Sequence, residues 1–504
     1  MAGVHEQADA PHVIVLASPG AGHVVPVAQL AARLAARHGF TATVVTFTNL
    51  SSREHSTALA TLPAGVSVAK LPEVSLDDLP LDAHIVTRII TVVQRTLPHL
   101  RDMLRSLLGS PAGVTAFLTD MLCPAALAVA EELGVPRYVF CTSSLMCLAT
   151  LLYTPELART TTGECRDLPE PVLLPGCMPL RGVDLIEPIQ DRTNPVYALM
   201  VDLGLDYLRA DGFIVNTFDG MEHETLLAFK EHSDKGVYPP AYAVGPFVRS
   251  CSDKAAEHVC MTWLDEQPEG SVLYVCFGSG GTLSTEQTAE LAAGLEASGQ
   301  RFLWVVRLPS DKDSSAGYFG TVDHGDDPLS YLPEGFVERT RGMGLLLSQS
   351  APQVEILNHR AVGGFLSHCG WNSTLEAVAA GVPMLAWPLF AEQRMNAVKL
   401  SSEGMGMALR VTAREEDGVV PREEVAAVAT ELMVGEEGAA ARKKAHELQA
   451  EAQKAVVPGG PAHQELAAVV GKWDRKRAVP VETNGVSSSK NETDGVLECE
   501  EPLP

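Results

Sequence analysis

The stretch SAPQVEILNHRAVGGFLSHCGWNSTLEAVAAGVPMLAWPLFAEQ, residues 350–393, carries the strongest structural signal in the chain. Its apolar run 362–366 predicts a buried parallel strand. A short, mostly polar turn at 368–374 follows directly, and a helical pattern begins at Leu375. A strand, a polar turn and a helix start in this order predict a phosphate site, because free N–H groups and the positive end of the helix dipole attract an anion.

The same turn also permits a simpler interpretation, since Ser and Asn favour helix N-caps wherever helices begin. The amino-acid sequence of the whole stretch favours the phosphate site. Across all of its positions it resembles the signature box of plant family 1 UDP-glycosyltransferases. The matching elements are Pro352-Gln353, the run from His368 to Ser373, Glu376, and Glu392-Gln393.

The resemblance implies a set of donor-binding residues. In that family the box His, Asn and Ser hold the diphosphate, the Glu holds the uridine ribose, and the closing acid-Gln pair holds sugar hydroxyls. A Gln at the last position, here Gln393, implies glucose as the donor sugar. The implied donor-binding residues of the box are Ser350, Gln353, His368, Trp371, Asn372, Ser373, Glu376, Glu392 and Gln393.

One position departs from the family pattern. The box normally opens with a Trp that stacks on the uracil ring, and here Ser350 stands in its place. Stacking a base on an aromatic ring is worth roughly 1–3 kcal/mol, so its loss would weaken nucleotide affinity by about one to two decades. Either other contacts hold the uracil, or the chain is a catalytically weakened relative that binds UDP or a phenolic.

Length, composition and charge limit the class of protein. The chain has 504 residues, enough for two domains, with 46% hydrophobic and 20% charged residues, as in globular proteins. No apolar stretch is long enough to suggest a membrane span. The formal net charge of −25 argues against nucleic acid and anionic membranes as partners.

The compartment and partners follow from the termini and the cysteines. The first twenty residues lack the basic and long apolar segments of a signal peptide. The ten cysteines show no CxxC spacing, so neither zinc nor a disulfide framework is indicated. We expect a cytoplasmic monomer that uses a UDP-sugar and a small-molecule acceptor, with no metal or other cofactor.

Strand and helix patterns alternate along the chain as in a doubly wound α/β protein. A helix is expected over about 26–38 and another over about 285–297. A loop rich in Asp, Ser and Gly is expected over about 309–330. The predicted strands are 12–17, 41–47, 114–119, 137–140, 213–216, 271–277, 302–306 and 362–366.

The resemblance implies the GT-B fold, in which two Rossmann-like domains face each other across a cleft. We expect an acceptor-binding domain at 1–250 and a UDP-sugar-binding domain at 251–478. The last helix, about 464–477, would pack back on the first domain. The acidic segment 479–504 is expected to be disordered, because it is polar and charged.

Two residues at predicted strand ends are candidates for the chemistry. His23 follows the first strand in SPGAGH, and Asp120 follows the strand at 114–119. Each alone would more often be a capping or packing residue. The resemblance assigns His23 as catalytic base and Asp120 as its hydrogen-bond partner, and Ser279, in a second Gly-rich turn, as a further phosphate contact.

The acceptor is less well specified. Met121, Leu122, Leu145 and Met146 follow predicted strand ends and are candidates for an apolar acceptor slot, although core packing explains each of them as well. The stretches FGSGGTLS, RFLWVVRLPS and SYLPEGFVERT most resemble the plant branch that glucosylates hydroquinone and phenylpropanoids. A small phenol is therefore the expected acceptor.

These features predict an inverting glucosyltransferase that moves glucose from UDP-glucose to a phenolic hydroxyl and gives a β-glucoside. A nicotinamide-dependent oxidoreductase would share the Rossmann-like halves. However, SPGAGH lacks the third glycine of the dinucleotide fingerprint, so this class is disfavoured.

Overall fold

The computed structural model describes residues 10–51, 53–80, 83–249, 251, 257–312, 314–315, 327–348 and 351–477. Two parallel β-sheets, each flanked by helices, are formed by the two halves of the chain. The predicted α/β class is confirmed. Ser350, most of the expected loop at 309–330 and the acidic tail at 479–504 lie outside the described residues.

The first sheet has seven parallel strands in the order β3-β2-β1-β4-β5-β6-β7. The order reverses beside the first strand, as in doubly wound folds, where ligands bind at the carboxyl ends of the strands. Its strands are β1 (His12–Leu16), β2 (Thr41–Phe47), β3 (Val66–Leu71), β4 (Ala116–Asp120), β5 (Arg137–Cys141), β6 (Gly212–Val215) and β7 (Ala241–Ala243).

The second sheet repeats this design with six parallel strands in the order β10-β9-β8-β11-β12-β13. The reversal falls between β8 and β11, and β11 is the strand predicted from the opening stretch. Its strands are β8 (Val272–Cys276), β9 (Arg301–Val305), β10 (Gly344–Leu347), β11 (Val362–Ser367), β12 (Met384–Ala386) and β13 (Ala408–Arg410).

Helices connect the strands and cover both faces of each sheet. They are α1 (Ala21–His38), α2 (Arg53–Ala60), α3 (Ile85–Leu108), α4 (Leu127–Glu132), α5 (Leu145–Thr160), α6 (Glu187–Gln190), α7 (Pro195–Asp206), α8 (Asp219–Asp234), α9 (Val259–Asp265), α10 (Thr285–Ser298), α11 (Phe336–Arg339), α12 (Gln353–Leu357), α13 (Trp371–Ala380), α14 (Gln393–Leu400), α15 (Arg422–Val434), α16 (Glu436–Val456) and α17 (Pro461–Arg477).

Strand registers bring the predicted polar residues together. Pairing of β1 with β4 aligns Leu16 with Thr119, and pairing of β4 with β5 aligns Asp120 with Phe140. In the second sheet, pairing of β8 with β11 aligns Cys276 with Ser367. The residues that follow these strands therefore emerge side by side at the carboxyl edge of each sheet.

The last helix, α17, packs against the first sheet although it follows the second in sequence. Trp473 is 1% exposed. Its ring lies 5.7 Å from that of Phe40, edge to face, and 5.5 Å from that of Tyr138. Such aromatic pairs add stabilisation beyond area burial. This packing ties the end of the described chain to the first domain. The boundary at residue 250 stays a prediction.

Two negative findings concern the described residues alone. None of the helices among them is both long and apolar enough to cross a membrane. No group of three or more His, Cys, Asp or Glu side chains among them is arranged to hold a metal ion.

Replacing the buried indole of α17 tests this packing. We expect Trp473→Ala to lower the free energy of unfolding by about 3–5 kcal/mol, because a large cavity opens in the core. Chemical denaturation followed by circular dichroism measures the loss. Trp263→Ala, at a partly exposed position, serves as the matched control and should cost less. An equal loss in both variants would contradict the packing described.

Candidate active site

The turn after β1 positions His23 differently from the sequence prediction. The helix was expected to begin near Pro26, yet α1 begins at Ala21, so His23 lies in its first turn and not in the turn before it. Gly20 ends the turn with φ 112°, a value that favours glycine. Pro26 lies inside α1, where it removes one backbone donor and leaves the carbonyl of Gly22 without its helical partner.

A buried carboxylate holds this histidine. Asp120 is 0% exposed at the end of β4, and its Oδ2 lies 3.0 Å from His23 Nδ1. Its Oδ1 accepts hydrogen bonds from the Ser18 hydroxyl at 2.7 Å and the Leu122 N–H at 2.9 Å. Thr142 Oγ1, after β5, donates to Oδ2 at 3.4 Å and lies 3.1 Å from His23 Nδ1. The imidazole Nε2 is left for a substrate.

Neighbouring charges shift the pKa values of both His23 and Asp120. Burial alone would lower the pKa of His23, but the Asp120 carboxylate, and Glu392 farther away, raise that pKa above its ordinary value. Burial would raise the pKa of Asp120. The His23 charge and the bonds from His23, Ser18 and Leu122 outweigh it, and the pKa of Asp120 is lowered. Asp120 is therefore ionised at neutral pH and favours protonation of the histidine.

The helix after β11 begins without a side-chain cap. Gly370 is the N-cap of α13, and no side chain among the described residues accepts a hydrogen bond from the first N–H groups. The plain N-cap interpretation of the SHCGWNS turn is thereby excluded for these residues. An open helix N-terminus at a strand switch point is suited to bind an anion.

His368 and the glycine turn after β8 form one surface. A Cβ added to Gly278 would lie 2.6 Å from the His368 ring, and Gly278 has φ +76°, so only glycine fits there. The Nδ1 of His368 is buried without a hydrogen-bond partner among the described residues. Burial and the nearby Arg307 guanidinium lower the pKa of His368 to about 4. The ring is therefore neutral at pH 7.

A cluster of polar side chains surrounds Glu376, the residue that was expected to hold the ribose. Gln353 Nε2 donates to Ser373 Oγ at 2.9 Å and to Glu376 Oε2 at 2.7 Å. Burial raises the pKa of Glu376, and the Gln353 bond and the Arg249 charge oppose that shift. Arg249 Nη2 lies 3.9 Å from Glu376 Oε1. These contacts align α12 with α13 and hold the carboxylate at the cleft wall.

The acid-Gln pair at the end of the opening stretch reaches the same cleft. Glu392 Oε1 accepts a hydrogen bond from the Ser143 hydroxyl at 3.0 Å, across from the first half of the chain. Gln393 Oε1 accepts from the main-chain N–H groups of Leu389 and Phe390, at 2.9 and 3.0 Å. The amide oxygen of Gln393 therefore shapes the loop, and its NH₂ group is the one available for a ligand.

Hydrogen bonds connect the two halves around the site. Asn372 Nδ2 donates to the Gly22 carbonyl at 2.8 Å, which is the carbonyl that Pro26 leaves without a helical partner. Trp371 Nε1 donates to the Asn216 carbonyl at 2.7 Å, so its indole serves the junction between the sheets. Asn372 joins the start of α13 directly to the helix that carries His23.

A buried ion pair also crosses this junction. Lys399 Nζ on α14 lies 3.6 Å from Glu222 Oε1, and both side chains are almost fully buried. Glu222 Oε2 accepts a hydrogen bond from the Leu145 N–H at 2.7 Å, and Oε1 also accepts one from the Met146 N–H at 3.1 Å. A buried charge with partners on both sides resists separation of the halves, since breaking such a pair leaves an uncompensated charge.

One cavity of about 2170 Å³ runs between the halves. This exceeds the 300–1,000 Å³ of a typical ligand pocket, so it has room for two substrates. His23 and every described candidate donor residue line it: Ser279, Gln353, His368, Trp371, Asn372, Ser373, Glu376, Glu392 and Gln393.

The acceptor candidates divide into two groups. Met121 and Leu122 line the cavity. Leu145 and Met146 are not among the side chains that line it, so the structure gives no support to their predicted role in binding an acceptor. Further apolar side chains from several elements also line the cavity, among them Ile89, Cys147, Leu151, Ile186, Met200 and Phe390.

Sequence reasoning overlooked several polar site residues. Thr142 and Ser143 follow β5 at the same sheet edge as Asp120, and Ser18 follows β1. Arg307 follows β9 and lines the cavity. Each lies within three residues of a predicted strand end, and that position was the signal available in the sequence.

The fold and the site together define a nucleotide-sugar-dependent transferase of the GT-B class. Residues 247–424 match the family described as UDP-glucoronosyl and UDP-glucosyl transferase. The chain is 44% identical over 468 residues to a hydroquinone glucosyltransferase of Rauvolfia serpentina, covering 92% of this chain and 98% of the relative.

Solved structures agree in fold. The chain is similar to Phytolacca americana UGT2 complexed with UDP-2fluoro-glucose and pterostilbene, with 41% identity and a TM-score of 0.83, covering 92% and 100% of the two chains. It is also similar to a Polygonum tinctorium UDP-glucosyltransferase capable of glucosylating indoxyl, with 42% identity and a TM-score of 0.85, covering 93% and 99%. The GT-B fold is confirmed, and this chain belongs to the plant family 1 UDP-glycosyltransferases. It is an enzyme of that class.

The lowered pKa of His368 predicts a pH-dependent stability. A histidine whose folded pKa is about 4 and whose unfolded pKa is near 6.5 takes up its proton first in the unfolded state. Its contribution is therefore zero above pH 7 and destabilises the fold by up to about 2 kcal/mol at pH 5.

Denaturation of the wild type and His368→Gln at pH 7.5 and pH 5 measures this contribution. Both proteins lose stability as other groups titrate, and the wild type should lose about 2 kcal/mol more. Equal losses would show that His368 titrates normally in the folded protein.

Proposed function

We propose that this enzyme is an inverting glucosyltransferase that moves glucose from UDP-glucose to the hydroxyl of a small phenolic acceptor and releases a β-glucoside. The observation that carries the proposal is the pair His23 and Asp120, which opens onto the cavity that the donor-box residues line. An oriented base and an anion site in one cleft suit transfer to a hydroxyl group.

His23 is the proposed general base. Its Nδ1–H donates to Asp120, which leaves Nε2 as the acceptor for the proton of the attacking hydroxyl. The raised pKa of His23 makes it a stronger base, and Asp120 stabilises the imidazolium that forms, by the logic of a His–Asp pair in serine hydrolases. The acceptor oxygen then attacks the anomeric carbon from the face opposite UDP, so the α-linked donor gives a β-linked product.

The departing diphosphate requires compensation for its developing negative charge. The open N-terminus of α13, with His368, Asn372 and Ser373, lines the cavity where that charge would form. Backbone N–H groups fixed before the reaction stabilise such charge without reorganisation. Ser279 adds a hydroxyl from the facing turn.

The last two residues of the stretch 350–393 are assigned the choice of donor sugar. Glu392 and the NH₂ group of Gln393 would bind sugar hydroxyls, since Oε1 of Gln393 is already occupied by the main chain. Glu376 would bind the ribose. Glucose as the donor rests on Gln393 and on relatives named as glucosyltransferases.

A small aromatic acceptor fits the apolar wall of the cavity. Met121, Leu122 and Phe390 are among its lining side chains. Phenols have pKa values near 10, so a histidine base activates them more easily than aliphatic alcohols. The relatives add support, since one is named for hydroquinone and one solved neighbour is complexed with pterostilbene.

A second candidate function is a weakened relative that binds UDP or a phenolic with little turnover. It depends on Ser350, where the family has a uracil-stacking Trp.

Turnover of UDP-glucose with hydroquinone and related phenols tests the proposal. We expect product whose anomeric proton shows the large coupling of a β-glucoside in NMR. His23→Gln and Asp120→Asn should each lower kcat by about 10²–10⁴-fold, because general-base catalysis is lost. The exposed pair His223 and Asp219, at 2.8 Å, supplies matched controls, and His223→Gln and Asp219→Asn should retain full rates.

The same assay separates the two candidate functions. A parent rate within about tenfold of Ser350→Trp supports the transferase, because uracil stacking is worth about one to two decades of affinity. Turnover in the Trp variant alone would support the weakened relative. An α-glucoside product would overturn the inverting mechanism.

A further inference from the structure

The residues proposed to bind the diphosphate supply too little positive charge to balance it. A diphosphate carries at least two negative charges and gains another as the glycosidic bond breaks. Burial and Arg307 lower the pKa of the neighbouring His368 to about 4, so this ring carries no positive charge at pH 7 before a donor binds. The N-terminus of α13 supplies about half of one positive charge. A further cation at the diphosphate would complete the balance.

The topology of the second sheet places Arg307 at this point. β9 pairs with β8, aligning Trp304 with Val275, and β8 pairs with β11. Arg307 follows the end of β9 by two residues, so it emerges at the same sheet edge as Gly278 and His368. All three line the cavity between the halves. This edge is the switch point of the sheet, where open α/β sheets bind their ligands.

The environment of Arg307 is that of a cation without a counterion. Its Nε is buried and has no hydrogen-bond partner among the described residues. No described Asp or Glu oxygen pairs with its guanidinium within 4.0 Å. Burying an unpaired cation is costly, so such a group is expected to have a ligand.

Other cations on the cavity wall lie elsewhere. Arg249 lies near Glu376, at the proposed ribose end, and Arg88 belongs to α3 in the first half of the chain. Lys312 lies on an exposed segment. Among the described cations that line the cavity, Arg307 is therefore the partly buried one beside His368.

We propose that Arg307 binds the diphosphate of the sugar donor and supplies the positive charge that the leaving group requires. The planar guanidinium suits bidentate contact with phosphate oxygens. Its electrostatic effect on His368 agrees with this position. The inference rests on the donor site of the proposed function and adds a residue outside the signature box.

Binding of uridine, UMP and UDP to the full chain tests the proposal without requiring turnover. Titration calorimetry, with competition for weak ligands, gives each affinity. Arg307→Gln should weaken UDP binding by about 10–100-fold, because a charge-assisted hydrogen bond is worth about 1.5–3 kcal/mol, and should leave uridine binding within about twofold. Arg307→Lys keeps the charge but loses the fork, and should fall between the wild type and Arg307→Gln.

Matched controls separate this effect from net charge and from folding. Arg339→Gln makes the same charge change in the same half of the chain, at an exposed pair with Glu296, and should bind UDP as the wild type does. If Arg307→Gln unfolds, Arg307→Lys carries the test, with an expected loss of about 3–10-fold for UDP and none for uridine.

Several results would overturn the proposal. The first is an unchanged UDP affinity in the Arg307 variants. The second is an equal loss of affinity for uridine and for UDP in those variants. The third is a wild type that does not bind UDP. A wild type that binds UDP with this pattern but forms no glucoside would support the role of Arg307 and refute the proposed function, so the two failures are distinguishable.

Discussion

A single buried carboxylate organises the catalytic side of the cleft. Asp120 has no exposed surface, and a buried charge is stable only when it is fully hydrogen-bonded. Its two oxygens collect donors from the turn after β1, from the first turn of α1 and from the ends of β4 and β5. Meeting that requirement fixes these four segments together, and the geometry of His23 is one of its consequences.

The donor side is coupled to this arrangement through backbone chemistry. Pro26 cannot donate a hydrogen bond to the Gly22 carbonyl, and Asn372 of the donor turn does so instead, at 2.8 Å. Asn372, which is proposed to bind the diphosphate, thus contacts the helix that carries His23. With the Glu222–Lys399 pair nearby, the two halves meet at polar contacts that specify one arrangement of the cleft.

The sequence was sufficient to predict the strands that carry the site, because long apolar runs such as β2 and β11 have clear boundaries. It did not predict β3, β7, β10, β12 and β13; of these, β7, β12 and β13 have three residues each, too few for a periodic pattern. The predicted start of α1 was too late, because proline is common in the first turn of a helix and Pro26 was taken as that turn. Of the apolar candidates after strand ends, Met121 and Leu122 line the cavity and Leu145 and Met146 do not, a difference that the sequence pattern could not show. Arg307 was missed because its role depends on neighbouring strands far apart in sequence.

The pH dependence of kcat/KM for the wild type and Asp120→Asn tests the central claim most directly. His23 must be neutral to accept a proton, so kcat/KM should fall on the acid side with an apparent pKa above 6.5, as the raised pKa of His23 requires. Removing the Asp120 charge should move that limb to lower pH and lower the plateau. An acid limb at the same pH in both proteins would contradict the assignment of His23 and Asp120 as the catalytic pair.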